Sequence, residues 1–127
     1  MEFGEPRRLS PLGHTWIIDI DGTVVKHNGH KSDGGDTLLP GAKEFLGSLP
    51  SGDMIIFITS RTEAEKNQTE DFLKRKNIRY DRIIYSAPPG ERILVNDRKP
   101  SGLLTALAIN TTRDVFMTER FVVDDRL

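Results

Sequence analysis

The sequence predicts an α/β domain with a parallel sheet flanked by helices, and three observations predict it. Short apolar runs rich in β-branched residues recur along the chain, as in WII at 16–18, MIIFI at 54–58, RII at 82–84 and ILV at 93–95; such runs read as strands buried on both faces. Stretches with helical spacing lie between them, and alternating strands and helices argue for parallel crossovers. Three of the runs end abruptly on carboxylate, hydroxyl or amide side chains, at the edge where open α/β sheets bind ligands.

Taken in order, Met1 to His14 holds Gly4, Pro6 and Pro11 and reads as an irregular arm (1–14), which leaves 15–127 as the core domain. Thr15 to Ile20 is the first strand, and Gly22 lets the chain turn sharply out of it. Val24 to Pro40 is polar and Gly-rich, which predicts a surface loop. Pro40 opens a helix carrying Ala42, Phe45, Leu46 and Leu49 at helical spacing, ended by Pro50-Ser51-Gly52. Met54 to Thr59 is a second buried strand. Ser60 or Thr62 caps a polar helix running to about Lys76, with Ala64, Phe72 and Leu73 as its apolar face and Asn77 as its stop. Arg82 to Tyr85 is a third strand and Ile93 to Asn96 a fourth; Ser101 to Leu107 is expected to be helical, with a fifth strand within 106–110. The tail from Thr111 carries apolar patches at Val115-Phe116-Met117 and Phe121-Val122-Val123 but no clear period.

The 127 residues suffice for one domain, and a chain of this size buries roughly two-thirds of its unfolded surface. The net charge of -1 gives no general attraction to nucleic acid or to an anionic membrane. With no cysteine, disulfides and thiolate metal sites are excluded, so a metal would be held by oxygen or imidazole. No apolar run approaches the roughly 18 residues of a membrane span, and Met1 to Thr15 lacks the apolar stretch of a signal peptide. The expectation is a cytoplasmic protein with no membrane partner.

The chemistry concentrates at strand ends. Asp19 and Asp21 are two apart, so on an extended strand they point the same way. Paired carboxylates at a buried strand end are costly to desolvate unless a cation or hydrogen bonds compensate, which suggests a metal and an anionic substrate. An EF-hand loop also begins DxDG, but its twelfth position needs a bidentate acid, and counting from Asp19 that position is His30. His27, His30, Asp33 and Asp36 could pass for a metal cluster, yet their loop is Gly-rich and unpatterned, so they are expected to be solvated.

Three stretches then resemble the haloacid dehalogenase superfamily: WIIDIDGT at Trp16–Thr23, IIFITSR at Ile55–Arg61 and ILVNDRKP at Ile93–Pro100 match its first, second and fourth motifs, in order and each at an expected strand end. The resemblance implies a single Rossmann-like domain. It implies Asp19 as the nucleophile that forms an aspartyl-phosphate, and Asp21 as the acid for the leaving oxygen and then the base for water. It implies Mg²⁺ held by Asp19, the backbone carbonyl of Asp21 and Asp97. Thr59 and the Ser60 backbone N–H would hold the phosphoryl oxygens. The third motif calls for a Lys or Arg: Arg92 and Lys99 are the candidates, and Arg61 can add a second clamp. The fourth motif departs from the family pattern, with Asn96 in place of its first acid.

Phosphatases and phosphomutases of the family keep the second acid, here Asp21, so the resemblance implies a phosphate monoester substrate. The short intervals from Asp19 to Thr59 and from Thr59 to Asp97 cannot hold a folded cap domain, so the resemblance is to the capless subset, with Lys26 to Thr37 as a partial flap. The expected activity is Mg²⁺-dependent hydrolysis of a phosphomonoester such as a sugar phosphate. The alternatives are a phosphatase for nucleic-acid ends or phosphoproteins, and a non-catalytic binding module on the same fold. The charge balance argues against nucleic acid. The tail from Val115 to Val123 is where a homo-oligomer contact is expected.

Overall fold

The computed structural model describes residues 4–32, 34–117 and 119–127. The chain divides into two compact units, each described by itself: Gly13–Pro88 with Thr111–Met117, and Met1–Leu12 with Pro89–Asn110 and Thr118–Leu127. This differs from the arm-plus-core division expected from the sequence.

The larger unit is α/β. Strands β2 (Thr15–Asp19), β3 (Met54–Ile58) and β4 (Arg82–Ile84) form a parallel sheet in that order. The register pairs Ile18 with Phe57 and Asp19 with Ile58 across β2 and β3. Each strand forms where the sequence places one. The connections hold a single-turn helix α1 (Gly29–Ser32), helix α2 (Ala42–Ser48), and a 3-10 turn (Glu63–Glu65) that runs into helix α3 (Lys66–Arg75). The Thr62 hydroxyl and the Glu65 carboxylate form a capping box at the start of that turn, which satisfies two of the N–H groups that a helix start leaves without partners. Asn77 ends α3 in the left-handed region, with φ 55.

Period-2 alternation gives the sheet one buried face, where Ile18, Ile55 and Phe57 meet Ala42 and Leu46 of α2, Phe72 and Leu73 of α3, and Phe116. Trp16 and Phe116 both pack edge-on against Phe45, at 5.5 and 5.4 Å between ring centroids. The opposite face is not buried as the apolar runs suggest, since Ile17 is 50% exposed and Ile84 49%. An apolar run alone does not require a second covering layer.

The smaller unit departs most from expectation. Its N-terminal segment, read as irregular, contains β1 (Arg7–Leu9), which pairs in parallel with β5 (Phe121–Val123). The Asp124 carboxylate accepts from Arg8 at 3.2 Å and from Arg126 at 3.1 Å, and the Arg126 hydrogen bonds hold its pKa down at about 2. The strand expected over Ile93–Asn96, the helix over 101–107 and the strand within 106–110 are not formed. Ile93 and Val95 are 84% and 89% exposed. A run of three apolar residues becomes a strand only where a neighbour supplies ladder partners, and none pairs with this one among the described residues. Among the described residues no helix is long and apolar enough to cross a membrane.

Candidate active site

The site is built at the carboxyl ends of β2 and β3. Asp19 closes β2, and the chain then turns around the carbonyl of Ile20, which accepts N–H bonds from Val24 at 2.9 Å and Val25 at 3.1 Å. Gly22 makes this turn possible with φ 81, and a Cβ there would meet Arg113 Cγ at 3.2 Å. The turn sets Asp21 beside the end of β3, where the buried Thr59 hydroxyl donates to Asp21 Oδ2 at 3.3 Å. Thr23 donates to Asp19 Oδ2 at 3.5 Å.

Arg61 dominates the electrostatics. A guanidinium has five N–H donors in a rigid planar fork, and each has a protein acceptor here. Nε donates to Asp21 at 3.1 Å, Nη2 to Asp21 at 2.8 Å and Asp36 at 2.7 Å, and Nη1 to Asp36 at 3.0 Å and Thr69 at 2.9 Å. The side chains of Arg61 and Asp36 are 3% and 2% exposed. Burial pushes the Asp21 carboxyl pKa up, but the hydrogen bonds and charge of Arg61 outweigh it and leave the value below the ordinary 3.8. Burial by itself lowers the Arg61 pKa, and its bonds to Asp36 and Asp21 raise it overall.

Two side chains of the loop between motifs, His30 and Asp36, are not solvated as its composition suggested. Its ends are pinned by the Lys26 N–H donating to the Thr37 carbonyl at 2.9 Å. It carries Asp36 onto Arg61, and His30 onto Glu65, with His30 Nε2 2.9 Å from Glu65 Oε2. The His30 side chain is 5% exposed, and its Nδ1 lies 3.8 Å from Asp21 Oδ1 with no hydrogen-bond partner. The His27 N–H donates to Asp114 Oδ1 at 2.7 Å. Asp33 lies outside the described residues.

Asp21, His30 and Asp36 offer atoms within 4.8 Å of one another. Both carboxylates already accept from Arg61, so an ion shared among the three would have to displace a buried guanidinium. The Asp19 carboxylate and the Asp21 carbonyl offer oxygen, which suits Mg²⁺, an ion that keeps several of its own waters.

The structure thus brings together Asp19, Asp21, Thr59, Ser60 and Arg61. The Ser60 hydroxyl donates to the Ala87 carbonyl at 2.9 Å, and its backbone N–H has no acceptor among the described residues. Arg61, expected to clamp phosphate, gives every donor to protein instead. Arg92, Asp97 and Lys99 lie in the other unit, exposed and outside strand and helix. There Arg92 Nη1 donates to the Gly90 carbonyl at 3.2 Å, and the Lys99 N–H donates to the Leu103 carbonyl at 3.0 Å. The Thr105 hydroxyl donates to the Asp97 carbonyl. Sequence reasoning missed Glu65 and Thr69, and it took His30 and Asp36 for solvated loop residues, whereas they pair with Glu65 and Arg61. The available signal was Arg61 itself, because an arginine directly after a buried strand needs acids to neutralise it and Asp21 alone leaves donors over.

The fold and site define an α/β chain with a parallel sheet and a carboxylate–guanidinium cluster at its carboxyl edge. No family model and no curated protein matches the sequence. Among solved structures, a chain of a Pnkp1/Rnl/Hen1 complex is similar, with a TM-score of 0.51 and 26% identity over 65% of this chain. The match spans 31% of the length of that chain.

Proposed function

We propose that the chain is a Mg²⁺-dependent phosphomonoesterase of the haloacid dehalogenase superfamily, in its capless form and with a single Rossmann-like core, acting in the cytoplasm. One observation carries the reading: Asp19, Asp21 and Thr59 meet at the carboxyl edge of adjacent parallel strands, with Thr59 bonded to Asp21 at 3.3 Å. In this mechanism Asp19 attacks phosphorus and forms the aspartyl-phosphate as the ester P–O bond breaks. Asp21, which Arg61 holds ionised at rest, takes up the proton of a bound phosphate monoanion and gives it to the departing oxygen, then takes one from the water that cleaves the acyl-phosphate. In this reading the Ser60 N–H holds a phosphoryl oxygen. Asp19, the Asp21 carbonyl and Asp97 are the residues that would hold Mg²⁺, which would neutralise phosphate charge there. Arg92 or Lys99 fills the role of the third motif, and Arg61 instead orients Asp21.

The leading substrate class is a small phosphomonoester such as a sugar phosphate. A second reading keeps the chemistry and places the phosphate on a nucleic-acid end. The Thr59-Ser60-Arg61 sequence is compatible with it, because a TSR second motif also occurs, without being diagnostic, in members of that superfamily with such substrates.

The test is turnover of p-nitrophenyl phosphate with Mg²⁺, followed by a panel of sugar phosphates, phosphopeptides and end-phosphorylated oligonucleotides. Turnover that disappears in Asp19→Asn supports the reading. A folded protein inert across the panel would instead be a binding module. Replacing Arg92, Asp97 and Lys99 singly by Ala tests their roles, and an activity indifferent to Asp97 would remove it from the metal site.

A further inference from the structure

We propose that Asp36 is a positioning residue for Asp21, acting through Arg61; the proposal rests on the phosphatase reading of Asp19 and Asp21. Asp21 leaves β2 at a tight turn, so sheet neighbours do not fix its carboxylate. Its side-chain hydrogen bonds come from Thr59 on one oxygen and from Arg61 on both. Arg61 is in turn held along its far edge, where Nη2 and Nη1 donate to the two oxygens of Asp36 at 2.7 and 3.0 Å. Because the guanidinium is planar, fixing the Asp36 edge fixes the plane in which the Asp21 edge lies.

Burial runs in the order such a holder requires. The Asp36 side chain is 2% exposed, that of Arg61 3%, and that of Asp21 18%. The anchor is sealed and the carboxylate at the working end is partly exposed. A phosphate ligand would show the reverse, with its donors facing solvent, and none of Arg61's donors does. The segment from Lys26 to Thr37 therefore delivers a buried anchor to the first motif, in addition to any part it plays as a flap.

The consequence is specific to one step. Proton transfer needs Asp21 within about 2.6–3.2 Å of the leaving oxygen, and a misplacement of about 1 Å can cost on the order of 100-fold. An alkoxide leaving group needs that proton as its P–O bond breaks, whereas p-nitrophenolate leaves as a stable anion without it. Loosening Arg61 should therefore slow alkyl phosphates selectively.

The experiment compares kcat and KM of the full chain on glycerol 2-phosphate and p-nitrophenyl phosphate, with Mg²⁺ present, for wild type, Asp36→Asn and Thr69→Val. For Asp36→Asn we expect kcat on glycerol 2-phosphate to fall on the order of 100-fold, with KM unchanged and a far smaller loss on p-nitrophenyl phosphate. Thr69→Val removes a single acceptor from Arg61 and should show the same selectivity at smaller size. It decides the matter if Asp36→Asn does not fold. Equal losses on both substrates, no loss on either, or a raised KM with unchanged kcat overturns the positioning role while leaving the phosphatase reading intact. A wild type inert on both substrates overturns that reading and this proposal with it.

Discussion

Replacing Arg61 by Met is the sharpest test of how the site is held together. The substitution keeps much of the aliphatic stem and removes the guanidinium. Asp36 then loses the partner of both its oxygens while its side chain remains 2% exposed, and Asp21 loses its ion pair while 18% exposed. Removing one partner of a buried pair costs about 3–5 kcal/mol, because the other charge stays desolvated and uncompensated. Asp36 meets that condition fully and Asp21 in part. At about 4 °C per kcal/mol for a domain near 100 residues, the melting temperature should fall by about 12 °C or more. Urea titrations at neutral pH of wild type, Arg61→Met, Asp36→Asn and the double variant measure this directly. Asp36→Asn should cost less in the Arg61→Met background than in wild type, since it removes an orphaned charge there, with a coupling on the order of 1–3 kcal/mol. A loss below about 1 kcal/mol, typical of exposed ion pairs, or strictly additive effects, would refute the buried network.

Three further outcomes follow from the same structure. Asp21 and Glu65 both sit below their ordinary values of 3.8 and 4.5; at Glu65 burial raises the value, and the Thr62 N–H and His30 bonds more than reverse it. A carboxylate with a depressed folded pKa binds fewer protons folded than unfolded, so its stabilisation is present above those ordinary values and lost as pH falls through the folded ones. Thermal melts should hold steady from neutrality down to about pH 5 and then decline, and Arg61→Met should flatten the decline. Gly22→Ala forces a left-handed φ of 81 on a residue whose Cβ meets Arg113 Cγ at 3.2 Å; urea titration should show a loss of about 1–2 kcal/mol, and the proposed phosphatase turnover should drop because the turn sets Asp21. Trp16, the sole tryptophan, donates its indole N–H to Asp53 at 2.9 Å. Asp53→Ala should shift its fluorescence and cost about 1–3 kcal/mol by removing the acceptor of the indole and of the His14 N–H, whereas an unchanged spectrum would show that the indole bond does not persist.

The legible part of the fold is the part written in local pattern. β2, β3 and β4 sit under three apolar runs, α2 begins just after Pro40, α3 follows the Thr62 cap, and Asn77 stops it. Each depends on neighbours a few positions away, so sequence alone reveals it. Ile93–Asn96 has the same pattern and forms no strand, because a strand also needs a ladder partner, which no window of sequence contains. β1 fails the other way: Arg7-Arg8-Leu9 carries no alternation, and its strand is made by pairing with Phe121–Val123 far along the chain.

The candidate site divides along the same line. Asp19, Asp21 and Thr59 were readable because each closes an apolar run. Asp36 was not, since a Gly-rich loop has no period to show which polar residue turns inward. What buries Asp36 is charge balance: a guanidinium 3% exposed at a strand end with five donors cannot be matched by one half-open carboxylate. Two carboxylates against one guanidinium leave a net negative charge at the edge where Asp19 lies. Such a residual charge would favour a cation, which a bare pair of Asp21 and Arg61 would not, and so the loop acid that pattern reading took as solvated bears on the Mg²⁺ that the proposed chemistry needs.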